Sequence, residues 1–306
     1  MRPGAAAALA LAILGACASP GVEVAAAGTD AVTVERRAFW REAAAVKGTV
    51  PDGRTAAEWA RELDPWLAST DPELRDDLAY TILAGWIVRG KIEDEPLRAL
   101  AAKWRADLGR PGATDADVVA RSFAALTLAA VVAFDLQHPF LGDELPRIRA
   151  AALDYAAREH DVRGYDEHLG WVHSTAHAAD LLKFLARAPD LPVAEQAAFL
   201  AVLDAKSDLP RATWTAGEDL RLARVALALV KRDDLDRAAF ESWVAGYETA
   251  YRGIWTAPRV DGARLAACGN RRRVLAELSA LLAGEDGSDR LTWARKRVLD
   301  ALRETG

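Results

Sequence analysis

The chain has 306 residues, 51% hydrophobic and 27% charged, with 13 prolines and a formal net charge of -6. That composition fits one long globular domain or two small ones and excludes a disordered chain. The acidic balance, with Arg271, Arg272 and Arg273 as the basic run that stands out, excludes a protein that tracks a nucleic-acid backbone.

In chain order the N-terminus is the most specific stretch. Met1-Arg2 is a short positive start, residues 5–14 are an apolar run too short to span a bilayer, and Leu14-Gly15-Ala16-Cys17 closes it with small residues before a cysteine. This looks like a bacterial lipoprotein signal. The resemblance implies that residues 1–16 are cleaved, that Cys17 is the lipidation site and that 17–33 form a flexible tether. The expected address is the cell envelope, with the lipid as membrane anchor. Where the cell has two membranes, Ala18 and Ser19 in place of an aspartate point to the outer membrane, facing the periplasm. Once Cys17 is acylated only Cys268 remains, so no disulfide is expected.

Residues 34–306 read as a single helical domain. Thr55-Ala-Ala-Glu58 and Thr215-Ala-Gly-Glu218 have the form of capping boxes, and Asp71-Pro72 places a cap before a proline at a first helical position. Gly90, Gly109, Pro111, Pro139, Pro189, Pro210 and Gly284 supply the breaks, which leaves about a dozen helices and no convincing period-two strand. Alanine- and leucine-rich arrays begin at Arg75, Arg121, Trp171 and Glu218, spaced 46, 50 and 47 residues apart. That spacing predicts an all-α fold of stacked helical hairpins, a HEAT/armadillo-like α-solenoid, with a closed α/α toroid as the alternative.

Residues 164–185 (GYDEHLGWVHSTAHAADLLKFL) gather the rarer polar groups. Trp171, Val172, Ala176, Ala179, Leu182 and Phe184 form the apolar side of a helix predicted to start after Gly170. His173, His177 and Asp180 fall within roughly 60° of one another at the helical period, so they share a stripe. If the four arrays line a concave groove, Asp76, Asp77 and Tyr80, then Arg121 and Ser122, then Glu218, Asp219 and Arg221 face the same space. Arg121 precedes a very apolar run and needs a carboxylate partner, for which Asp77 and Asp180 are candidates.

The stripe admits three readings. His173, His177 and Asp180 can serve as zinc ligands with an open position for water, but the glutamate that follows the first histidine in a zincin helix is absent. The two histidines can instead act on a bound ligand as acid and base, or hydrogen-bond within a structural network. No nucleophile elbow, phosphate-binding loop, dinucleotide fingerprint or cysteine pair is present. The ten tryptophans fall mostly one to a helix, as core anchors do, and a few in a groove would suit sugar stacking.

The segments LRDDLAYTILAGW (74–86), RSFAALTLAA (121–130), DVRGY (161–165), GWVHSTAHAADLL (170–182) and EDLRLA (218–223) together resemble the uncharacterised bacterial domain-of-unknown-function family 2785 (DUF2785). The resemblance implies an all-helical, repeat-like fold. Arg121, Arg163, Gly164, Tyr165, Trp171, His173, His177, Asp180, Glu218 and Asp219 match its motifs, and it brings no established activity. The expectation is a membrane-anchored lipoprotein acting as a ligand- or protein-binding scaffold through a polar concave groove. Its partner would be an envelope protein, peptide or glycan, with no nucleic acid and no cofactor beyond a possible zinc. The alternative is a zinc-type hydrolase of an envelope polymer or peptide.

Overall fold

The computed structural model describes residues 32–209, 213–285 and 287–305. The expected signal segment, Cys17, most of the expected tether and the break expected at Pro210 lie outside the described residues.

The fold is all-α. Helices α1 (Val34–Ala45) and α2 (Ala56–Leu63) lead through a 3-10 turn (Asp64–Ala68) into α3, which is π-helical over Glu73–Tyr80 and α-helical over Thr81–Val88. There follow α4 (Asp94–Asp107), α5 (Asp115–Asp135), α6 (Glu144–Arg158), α7 (Ser174–Leu185), α8 (Val193–Asp208), α9 (Glu218–Val230), α10 (Arg237–Trp255), α11 (Gly262–Ala283) and α12 (Asp289–Glu304). Between α6 and α7 lies a two-stranded antiparallel ribbon, β1 (Tyr165–Asp166) and β2 (Gly170–Trp171), with Tyr165 opposite Trp171 and Asp166 opposite Gly170. It is too short to give the period-two signature by which strands are read.

Alternate helices pack together. The second half of α3 packs on α5, α5 on α7, α7 on α9 and α9 on α11, while α4, α6, α8, α10 and α12 pair in the same way in a second layer. The central helices are apolar nearly all round, as their position between neighbours requires. Helix α5 is long and apolar enough to cross a membrane by composition alone, yet 83% of its apolar window is buried inside the fold, which marks it as a core helix. In α7 every residue from Ser174 to Leu185 is buried, so its polar stripe faces packed protein and not an open groove.

Capping chemistry sets several helix starts. Thr55 and Glu58 form the expected capping box of α2, and the Asp71 carboxylate accepts the N–H of Glu73 at 2.9 Å ahead of α3. The box expected at Thr215 and Glu218 does not form. Gly217, at φ 80°, precedes α9, and the Glu218 carboxylate reaches back to the Ala216 N–H at 3.1 Å. Thr114 and Asp117 make a box that sequence reading missed, with Asp in place of the usual Glu.

Tryptophans anchor the core, and the indoles of Trp40, Trp59, Trp86, Trp104 and Trp243 each find an acceptor, whereas that of buried Trp214 has none. Trp40, Trp59 and Trp86 cluster with Phe39 at the N-terminal end, and Trp104 Nε1 donates to Asp64 at 2.7 Å. Trp214 and Trp243 are buried too, Trp171 is half-buried, and Trp255 is exposed.

Candidate functional site

The helix predicted from Trp171 begins three residues later, at Ser174, and the change of backbone is where the site is made. The N–H groups of Val172 and His173 both donate to the Gly164 carbonyl, at 2.9 and 3.2 Å. This pins the ribbon to the start of α7 and leaves His173 in the left-handed region at φ 48°, ψ 29°. Among the described residues it is the one non-glycine at positive φ. Such a residue costs on the order of 1–3 kcal/mol and persists where the surroundings over-determine it. Gly164 is required because its backbone lies against the turn before α9: a methyl there would fall 2.5 Å from the Ala216 Cβ and 2.7 Å from Glu218 Oε1.

His173 is covered by Trp171, whose ring stacks on it at 4.3 Å, and Tyr165 packs edge-on against Trp171. His177 lies edge-on to His173 at 5.6 Å between centroids and to Phe123 at 5.0 Å. The Arg75 guanidinium sits over Phe123 at 4.8 Å from its centroid and donates to Asp76, to the Leu169 carbonyl and to the Trp171 carbonyl. One buried arginine thus ties α3 to the ribbon that covers the histidines.

The protonation of His177 follows from counting hydrogens. Ser122 Oγ has one proton, which goes to the Val172 carbonyl at 2.6 Å. The same oxygen lies 2.8 Å from His177 Nδ1 and can therefore only accept there, so Nδ1 carries the proton. Burial, reinforced by His173, Arg221 and Arg75, holds His177 well below its ordinary 6.5, so the ring is neutral and Nε2 is a bare acceptor. His173 is lowered to about 4, first by burial and then by Arg221, while the Ala216 backbone, close but outside hydrogen-bond geometry, pushes the other way. Burial likewise pushes Asp76 up to about 7 despite Arg75 beside it.

The stripe's third member does something else. Asp180 is ion-paired with Lys183 at 2.8 Å and with Arg221 from α9. Burial pushes its carboxyl up, and the two cations outweigh burial and hold it below the usual range. Both Asp180 oxygens are so engaged, by cations and not by the histidines with which its spacing groups it as one candidate metal set. Among the described residues no group of three histidine, cysteine or acidic side chains can hold an ion.

What the site lacks is internal satisfaction. His177 Nε2, both ring nitrogens of His173, Asp76 Oδ1 and the hydroxyls of Ser174 and Thr175 are buried without a hydrogen-bond partner. The Tyr155 hydroxyl approaches Ser174 but completes no hydrogen bond with it. Buried polar atoms are paired in the great majority of cases, so this concentration around one helix start needs a reason.

The remaining expected residues are placed around this centre. Tyr80 is buried edge-on to Phe123, and Asp77 turns to solvent and takes no part. Arg121 pairs with neither Asp77 nor Asp180. Its partner is Glu159, at 2.7 Å, because the end of α6 folds back over the start of α5, and the Lys206 ammonium donates to the Glu159 carbonyl. Arg163 holds Asp161 and Asp115, which fastens the approach to the ribbon. Tyr165 is half exposed, Glu218 is buried at the turn before α9, and Asp219 lies 4.0 Å from Arg273 at the edge. Sequence reading missed Arg75 and Phe123 because an arginine at a helix start reads as a solvated end. The one available signal was its place beside Asp76 ahead of a wholly apolar run.

Fold and site together define an all-helical protein with a buried polar centre built on two histidines. The family described as "protein of unknown function (DUF2785)" matches residues 107–280, more than half of the chain, and the chain belongs to that family. The match takes in Ser122, His173, His177, Asp180 and Glu218, while Arg75 and Asp76 lie before it. No curated protein and no solved structure matches the chain.

Proposed function

We propose that the chain is a binding protein, anchored in the cell envelope through a lipid on Cys17, whose helical domain seats a small polar ligand at the histidine centre. The observation that carries this reading is the set of partnerless buried atoms around His173 and His177. Each such atom costs about 1–3 kcal/mol, and a core built for packing alone does better with apolar side chains of the same volume. The strained His173 backbone and the displaced titrations of His173, His177 and Asp76 fall at the same place, as they do at sites kept for binding or chemistry. Because His177 Nε2 is an acceptor, the ligand supplies an O–H or N–H to it. The ribbon carrying Trp171 is the cover through which it enters.

On this reading the ligand is enclosed and not laid along an open groove. The pairing of each helix with the next but one, with no principal contact among the described residues joining α11 or α12 to α1–α3, favours an open stack of hairpins over a closed toroid. The test is native mass spectrometry of the protein after incubation with a small-molecule cell extract and desalting. A small-molecule adduct on the wild type, absent from folded His177→Leu, supports the proposal. No adduct on the wild type, or the same adduct on both, rejects it.

A further inference from the structure

The stripe on α7 continues past Asp180 into a group of cations that the histidine centre does not use. Lys183 lies in the last turn of α7 and Arg187 in the turn just beyond its end, both against the Phe184 ring, and Arg221 and Arg224 are three apart on α9 and share a helix face. The two helices are packed neighbours, and the Asp180 carboxylate, held by both Lys183 and Arg221, fixes how those faces meet. Lys183 is within electrostatic reach of Arg187 and Arg224, and Arg187 of Arg224, while Arg221 meets Lys183 across the Asp180 carboxylate.

Their charges are not balanced locally. Asp180 is the one carboxylate paired with any of the four, and among the described residues Arg187 and Arg224 have no ion-pair partner. Two further acids act on the group from a distance without pairing with it: Glu285, which is paired with Lys231 at 2.6 Å, acts on Arg187, and Glu218 acts on Arg221. Lys183 Nζ and the Arg187 guanidinium both lie against the ring of buried Phe184, at 4.5 and 5.3 Å from its centroid. This apolar floor strengthens the field above it. Arg187 is exposed and Arg224 half-buried, so the group can be reached from solvent.

The plainer explanation is that these cations complement the C-terminal dipole of α7. It fails on two counts. The carbonyls of Ala186 and Ala188 at that end already accept from Arg232, at 3.1 and 2.7 Å. Arg221 closes the first turn of α9, where the dipole favours anions, and Arg224 sits at the middle of that helix, so neither complements a helix C-terminus. Like charges brought together at cost are a feature of sites that bind the opposite charge, and guanidinium pairs match the flat geometry of an oxyanion.

We infer that Lys183, Arg187, Arg221 and Arg224 form an oxyanion cradle between α7 and α9 that holds the phosphate or carboxylate group of a small ligand. The inference goes beyond the histidine reading and does not depend on it. Two probes address the two sources of the charge. Thermal melts and calorimetric titrations with inorganic phosphate and with malonate, against sodium chloride at equal ionic strength, are run on wild type, on His177→Leu and on Arg187→Gln/Arg224→Gln. The cradle predicts a saturable rise of several degrees with at least one probe in wild type and in His177→Leu, lost in the double variant. In chloride alone the double variant should melt at or above wild type, because a repulsion has been relieved. Responses to phosphate and malonate no larger than to chloride, or a double variant that responds as wild type does, would overturn it.

Discussion

Ser122 Oγ lies between the Val172 carbonyl, to which it donates at 2.6 Å, and His177 Nδ1, from which it accepts at 2.8 Å. One hydroxyl thereby sets the tautomer of a histidine 55 residues away and aims an unprotonated Nε2 into the interior. In long-range nitrogen–proton NMR spectra, His177 should appear as the Nδ1-protonated neutral ring down to the lowest pH at which the protein stays folded. Ser122→Ala removes the acceptor that fixes this state, and a mixture of tautomers should follow. An Nε2-protonated ring in wild type would refute the assignment.

Acid should act on this centre through opposed groups. His173 at about 4 and His177 well below 6.5 refuse protons that the unfolded chain binds, so their contribution to stability is present above 6.5 and is lost as pH falls below it. Asp76, raised from 3.8 to about 7, works in the opposite sense: its folded form keeps a proton that the unfolded chain releases, so its contribution is present at low pH and lost as pH rises towards 7. Asp76→Asn keeps the acceptor for Arg75 and deletes this opposing contribution. The variant should lose stability with falling pH more steeply than wild type between pH 6.5 and 4, by up to about one proton, or ~1.4 kcal/mol per pH unit. Asp204, pushed up to about 6 by burial, is common to both proteins and cancels in the comparison. Parallel urea-derived stability curves across this range would show that Asp76 does not titrate there.

Gly164→Ala places a methyl 2.5 Å from the Cβ of Ala216, which has no flexible end to move aside. The ribbon must lift from the turn before α9, at a cost of about 1–3 kcal/mol by chemical denaturation. Gly262→Ala, at a helical position with nothing within 4 Å, is the control and should be neutral or slightly stabilising. Equal stability of the two variants would remove the packing reason for Gly164.

Cys17→Ser should release the protein from the detergent phase into the aqueous phase while its helical circular dichroism stays unchanged, since the lipid reading gives this residue no part in the fold. Retention of the variant in the detergent phase would reject the anchor.

The sequence carried the helices well and the site in part. Helical periodicity, capping residues and prolines are local signals, and they located the all-α character and most of the helix breaks. The stripe of His173, His177 and Asp180 was legible from spacing alone. What each member contacts was not, because contacts depend on neighbours far along the chain. Arg121 needed a buried carboxylate and has one, yet the partner is Glu159, brought there by the loop after α6. Asp180 looked like a partner for the histidines, and Lys183 and Arg221 hold it instead. The start of α7 was placed three residues early because Trp171 and Val172 continue the apolar pattern. The left-handed turn at His173 that ends the ribbon depends on the Gly164 carbonyl, and no local signal marks it.

The central claim is that the histidine centre is kept for a ligand and not for stability, and the melting behaviour of His177→Leu tests it most directly. Leucine fills much of the same volume, leaves Ser122 its hydrogen bond to Val172 and removes a buried acceptor that has no partner. Differential scanning calorimetry of ligand-free protein should give a melting temperature equal to or above that of wild type, as expected where function was favoured over stability. A fall of several degrees, corresponding to about 1–3 kcal/mol, would show that His177 holds the fold together and would contradict the account.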